Sequence, residues 1–332
     1  MYKQVYFLFL TAFIIISVLP AQAQEDAAAA EEEVKEGWET GAGMGLDFSQ
    51  LFQLNPRQGA GQNRLGIGGA INFFANYRKD RVAWDNITNW QFGVQRLGAG
   101  VIAQGTTQKK IPFQKAIDEL RLNSKWGYKT SNTSKFFYAA DFSFTSQLTP
   151  TYLGNDDYPG NFISDFANNG ANSKLFAPAT INFSLGMDYK PIENLSIYYS
   201  PVGLKMIIVA DNAIAALNVH GNEEGKNSFV GLGSVLRMGY TAKYLNDRMA
   251  YTSGLLLFSN YLENPQNIDV DWTNEFAFTI VKGFQAALTL NLLYDDDILV
   301  QVTDLDAPNG VSGLGKRVSI TQQFLLKYNI VF

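Results

Sequence analysis

The feature that most constrains this chain is an apolar/polar alternation of period two. It begins near Gly37 and recurs to the last residue. In Leu65 to Tyr77 one face carries Leu65, Ile67, Ile71, Phe73 and Tyr77, and the other Gly66, Gly68, Asn72 and Asn76. Leu120, Leu122, Trp126 and Tyr128 alternate with Glu119, Arg121, Asn123 and Lys125. Phe136, Tyr138, Phe142 and Phe144 alternate with Ala139, Asp141, Ser143 and Thr145, and Ile181 to Tyr189 and Ile268 to Ile280 repeat the pattern. Alternation of this kind marks a strand with one apolar and one polar face.

A soluble sandwich shares that period, so the connections decide. Strands are expected near 37–53, 65–78, 81–96, 115–129, 134–148, 180–190, 194–203, 228–244, 248–261, 267–281, 283–297 and 316–332. Short links at 78–81, 129–134, 190–194, 245–247 and 281–283 alternate with segments at 54–64, 97–114, 149–179, 204–227, 262–266 and 298–315, of which only 262–266 is short. Outer-membrane barrels have short periplasmic turns and long extracellular loops. The expected fold is therefore all-β: a single antiparallel transmembrane β-barrel of about twelve strands over 37–332, with both termini periplasmic.

Composition agrees. Aromatics make up 14% and charged residues only 17%, against about a quarter in soluble domains. Mean hydropathy is −0.08, as expected where every second residue meets lipid and the others a polar lumen. A net charge of −5 with no basic stripe argues against a nucleic-acid partner. The absence of cysteine excludes disulfides.

At the N-terminus Lys3 precedes an apolar run from Val5 to Leu19, then Pro20 and Ala21-Gln22-Ala23. That order reads as a secretory signal peptide over 1–23, followed by an acidic periplasmic tail over 24–36. In the last strand Phe324, Leu326, Tyr328, Ile330 and Phe332 share one face. A terminal aromatic closing an alternating strand resembles the signal read by outer-membrane barrel-insertion machinery, carried here by Phe324, Tyr328 and Phe332.

No catalytic constellation is present. The single histidine, His220, falls in an expected external loop, with no G-x-S-x-G elbow and no H-E-x-x-H. The expectation is a protein that is not an enzyme. By parity Glu39, Asp47, Asp85, Glu119, Arg121, Lys125, Asp141, Asp188, Arg237, Lys243, Glu275 and Lys327 point inward, since lipid-facing charge is costly. They line an aqueous path or form a salt-bridged plug, because twelve strands lie between filled and open barrels.

An acidic group lies at one end. A turn at Val281-Lys282-Gly283 pairs Ile280 with Phe284 and sets Asp269 opposite Asp295, beside Asp271, Asp296 and Asp297. Like charges directly opposite need neutralising. A hard cation such as Ca²⁺ held by Asp269, Asp271, Asp295 and Asp297 would do so, as would a lysine or arginine from a loop; otherwise the carboxylates form a solvated rim repelled into water. The loop from Tyr152 to Thr180 carries Tyr158, Phe162, Phe166 and Phe176. It is expected to fold over or into the barrel mouth, or to meet a partner.

The stretch Phe258-Ser259-Asn260-Tyr261-Leu262-Glu263-Asn264-Pro265-Gln266-Asn267-Ile268-Asp269-Val270-Asp271-Trp272, with Leu293-Tyr294-Asp295-Asp296-Asp297-Ile298, resembles a family of Bacteroidota outer-membrane proteins known only as a domain of unknown function. Gly186-Met187-Asp188-Tyr189-Lys190-Pro191, Ser200-Pro201, Gly37-Trp38 and the Asn72-to-Trp84 hairpin are similar too. The resemblance covers essentially the whole mature chain. It implies a Gram-negative outer-membrane location and no settled activity. Two functions stay open: a narrow channel or transporter for small solutes, and a non-conducting subunit of a larger outer-membrane complex for barrel assembly or secretion. The expected partners are outer-membrane lipid, the insertion machinery and other outer-membrane proteins.

Overall fold

Long runs of β-branched and aromatic residues at period two leave the backbone one economical solution, an extended ladder with its apolar face outward. A computed structural model describes residues 36–54, 64–95, 113–155, 162–295, 300–304 and 311–331. The expected signal peptide and acidic tail lie outside them, apart from Glu36.

The elements in chain order are β1 (Gly37–Leu54), β2 (Arg64–Lys79), β3 (Val82–Gln95), β4 (Gln114–Lys129), β5 (Phe136–Ser146), β6 (Thr151–Tyr152), β7 (Ala171–Ser173), β8 (Ala179–Ile192) and β9 (Leu195–Ile208). Then come α1 (Asn212–Ala215), β10 (Ser228–Tyr244), β11 (Met249–Asn260), β12 (Asp269–Val281), β13 (Phe284–Tyr294), β14 (Val300–Thr303), β15 (Val311–Gly315) and β16 (Ser319–Val331). Twelve of the strands close an antiparallel barrel in which β16 returns to pair with β1, and the small β6–β7 and β14–β15 pairs stand apart in the connections. Closure leaves the barrel with no unpaired edge, the condition for crossing lipid with strands. The barrel strands run from 11 to 18 residues, enough for the 9–11 a tilted membrane strand needs.

All twelve expected strands are present, with shifted ends. The largest shift is at β9, which continues to Ile208 rather than stopping at Gly203. It passes through a bulge: the β8 ladder skips from Leu185–Val202 to Met187–Tyr199. Pro201 has no N–H to give the ladder, and the Ser200 hydroxyl compensates by donating to Leu185 O and accepting from Val202 N. Gly186 faces this bulge. A side chain there would run into the Tyr199 carbonyl, so only glycine allows the approach.

The β12–β13 turn follows the expected register by a slightly different route. Val281 pairs with Phe284 across Lys282-Gly283, and a bulge at Ile280 restores Thr279–Gln285 and Val270–Tyr294. That offset sets Asp269 beside Asp295.

The described residues of the connections 147–178 and 209–227 pack on each other at the long-loop end. Asp211 caps α1 by accepting from Ala213 and Ile214 N–H and pairs with Lys174 at 2.6 Å. Ala177, Val209, Ile214 and Ala215 are buried together beneath them. His220 Nε2 donates to Asn172 O at 2.6 Å, tying the second loop to β7's edge. Phe162 is fully buried and bridges to Tyr152 and Gln114. The described residues of the loop expected to meet the mouth are thus fastened to the wall and to the 209–227 connection.

Candidate functional site in the barrel interior

The two faces of the wall are distinguished by what their side chains reach. Trp84, Trp126, Phe183, Leu185, Phe324 and Tyr328 share one parity and are exposed. The other parity makes ion pairs between strands that are not neighbours, which only an interior permits: Lys125 on β4 with Asp188 on β8, and Lys205 on β9 with Asp269 on β12. Asp85, Glu119, Arg121, Lys125, Asp141, Asp188, Arg237, Lys243, Glu275 and Lys327 have this inward parity. Glu39 and Asp47 hold inward register positions on β1, opposite Asn76 and Lys327 respectively. The side chain of Asp47 lies outside the described residues.

Around β5, β8, β9, β10 and β11 the interior is packed. Tyr198 is fully buried against Ala139, Val235 and Phe258, with Leu256 alongside. Its hydroxyl meets Ser184 at 2.9 Å. Asp188, only 2% exposed, pairs with Lys125 at 2.7 Å and accepts from the Ser196 hydroxyl at 2.6 Å. Asp141, 5% exposed, pairs with Arg237 at 3.2 Å. Lys125 also stands over the Tyr198 ring. Carboxylates this deep persist only when paired and hydrogen-bonded, and each of these is.

The remaining interior is different. Gly41, Gly43, Gly68 and Ala70 face inward on β1 and β2, and Phe74 lies flat where a side chain at Gly41 would stand. Ile87 points inward yet is 49% exposed, and the inward Arg121 side chain is 48% exposed while paired with Glu119 at 2.9 Å. Thr241, Thr252, Gly254 and Thr273 are inward and exposed nearer the short turns of β10–β12, on strands that carry the packed Val235 and Phe258 further along. An inward residue with that much free surface borders solvent space within the barrel. Arg78–Asp85 and Lys327–Glu275 pairs hold charges along these walls.

At the long-loop end Lys205 reaches over β10 and β11 to sit 3.5 Å from both Asp269 and Asp295. Among the described residues no cluster of three or more acids, histidines or cysteines has metal-holding geometry. Asp296 and Asp297 lie outside the described residues, as does Phe332. Asp271 is inward, one alternation along β12, opposite Leu293. Lys205 was the residue that pattern reading missed: its partners are 64 and 90 positions away, and no local period reports such a pairing.

A family described as "Protein of unknown function (DUF3078)" matches residues 50–152, about a third of the chain. No curated protein matches. Among solved structures, an outer-membrane channel from Pseudomonas putida F1 is similar at 12% identity and a TM-score of 0.39, over 92% of this chain and 100% of that one. The translocator domain of the autotransporter NalP from Neisseria meningitidis aligns at 6% identity and 0.38 over 90% of each chain. An outer-membrane phospholipase A active-site mutant from Escherichia coli aligns at 10% and 0.36, over 92% and 94%.

Proposed function

We propose that this protein is an outer-membrane barrel that passes small polar solutes along a narrow, off-centre path bordered by β1–β4 and by the exposed inward residues near the short turns of β10–β12. The observation that carries the reading is the asymmetry of the interior. One flank is filled by Tyr198, Phe258 and two buried ion pairs, while Ile87 on β3 and Arg121 on β4 face space. A barrel that served only as a plugged scaffold would gain by filling both flanks with apolar side chains. The membrane setting is supported by the outward band. Trp38 packs on Tyr77 and Trp84 at 5.2 and 5.6 Å, and Trp126 stacks on Tyr128 near the short turns, where amphipathic rings prefer a lipid–water boundary. Short turns then lie on the periplasmic side and the capped loops outside the cell.

Planar-bilayer recording on purified protein tests this. The expected result is small, stable conductance steps. A folded, inserted protein that never conducts, and that purifies with a fixed partner, would replace the channel by the accessory-subunit reading. The packed 209–227 connection, with exposed Leu217 and Val219, favours that second reading.

A further inference from the structure

The outer wall carries an indentation that the strand pattern does not call for. Trp84, Trp126, Phe142 and Phe183 stand around Ala140, Ser124 and Asp141, bordering an open groove of about 380 Å³, with the Asp141 carboxylate paired to Arg237 on the interior side of the wall. Its depth comes from Ala140, a single methyl in the row between Trp126 and Leu185. The polar atoms at its floor are already satisfied. Trp84 Nε1 donates to Ser124 Oγ at 2.9 Å, Ser124 Oγ donates to Asn86 Oδ1 at 2.8 Å, and Asn86 Nδ2 donates to Ala75 O at 2.9 Å. A groove with apolar walls and no unmet donors or acceptors suits hydrocarbon, and its volume lies within the range of ligand clefts.

Four residues along β4 from Ser124 toward the short turns, roughly 13 Å at strand rise, Tyr128 shares the same outward face. The Arg81 guanidinium lies over its ring at 4.5 Å. Arg81 Nε donates to Lys129 O at 2.7 Å and a terminal nitrogen donates to Thr130 O, which fixes the plane of the group. These bonds use two of its five N–H donors. Exposed Lys79 adds a second cation on this turn, and Asp80 is its acidic neighbour.

We propose that this wall seats one glycerophospholipid, with its phosphate on Arg81 and an acyl chain in the groove over Ala140. The inference rests on the membrane reading above. Charge complementarity selects the occupant: a pre-oriented guanidinium suits a phosphate oxyanion, whereas an apolar transmembrane segment of another protein has no use for one.

The test is native mass spectrometry of the full-length folded barrel in detergent, titrated with phosphatidylglycerol, alongside liposome flotation. The wild-type barrel is expected to keep one lipid under activation that strips the rest. Ala140→Phe fills the groove without touching a hydrogen bond, and Arg81→Gln removes the cation. Each should weaken retention about tenfold, and Arg81→Lys should recover part of the loss. Retention unchanged in both Ala140→Phe and Arg81→Gln would overturn the seat. Loss in Ala140→Phe alone would mean an apolar occupant and would equally overturn a phospholipid. Failure of the wild-type protein to float with liposomes would instead overturn the membrane reading.

Discussion

Lys205 is the residue on which the acidic end of the interior turns. Asp269 and Asp295 come side by side through the β12–β13 register, and the ammonium of Lys205 lies 3.5 Å from each. The charge that a bound cation would bring is supplied here by the chain itself, from a strand three removed from β12. Replacing Lys205 by Met leaves the carboxylates facing one another. With these groups partly exposed, a stability loss of about 1–2 kcal/mol is expected. Calcium should restore that loss in the variant, while chelator should leave the wild-type transition unmoved. Heat-modifiability on gels, read with calcium and with chelator, checks both, and a chelator-sensitive wild type would mean that metal is held beside Lys205. The buried pair predicts a larger effect. Asp188→Asn strands the Lys125 ammonium in the packed flank, and about 3 kcal/mol should be lost in urea unfolding. The inward parity of Asp188 and Lys125 was legible in the sequence, because alternation is local. Their partnership was not, because it depends on which strands curl toward each other across the interior.

Elements divide in the same way. The twelve wall strands could be read because each repeats its own signal over many residues, and the errors fall where a bulge hides the continuation, as at Ser200-Pro201. The loop elements β6, β7, α1, β14 and β15 carry no period. They are held by short ladders and by local contacts such as the Asp211 cap and the His220–Asn172 bond. Those contacts make the cap sensitive to pH in two stages. Burial pushes His220 below the ordinary imidazole value. On acidification an opened loop takes up a proton that the closed loop resists. The stability contributed by His220 is therefore complete above about pH 6.5 and falls as pH drops toward the depressed folded value. The Lys174 hydrogen bond, followed by the Ile214 and Ala213 N–H groups, holds the Asp211 carboxyl below the usual carboxylate range. Its contribution is present above about pH 4 and is lost only as pH falls through that lower value. Limited proteolysis of loop 209–227 should accelerate first as pH falls below about 6.5, then again below about pH 4. His220→Gln keeps a donor for Asn172 O and has no charge to gain, so it should abolish the first stage and spare the second.

At the scale of the whole molecule, alternating loop length and an even strand number were enough to specify closure, because a sheet with long apolar outward faces has no stable open form in lipid. What they could not specify is how evenly the interior is filled. Strand number sets the circumference, but the free cross-section depends on which inward positions carry Gly or Tyr and on which charges lean across. Here the bulk is gathered on one side. Tyr198, Phe258 and Val235 crowd the β9–β11 flank, while glycines and Ala70 thin the wall of β1 and β2. An off-centre path makes a prediction that a central pore does not. Ile87→Trp adds bulk on the thin side, where the side chain already faces space, and should cut single-channel conductance by about half or more. Tyr198→Phe removes only a hydroxyl inside the packed flank, bonded to Ser184, and should leave conductance nearly unchanged while lowering stability by about 1 kcal/mol. Bilayer recordings of the two variants beside the wild-type protein separate the cases. Equal conductance in wild type and Ile87→Trp would place the path elsewhere, and a large fall in Tyr198→Phe would mean that solute passes through the side that the ion pairs were taken to close.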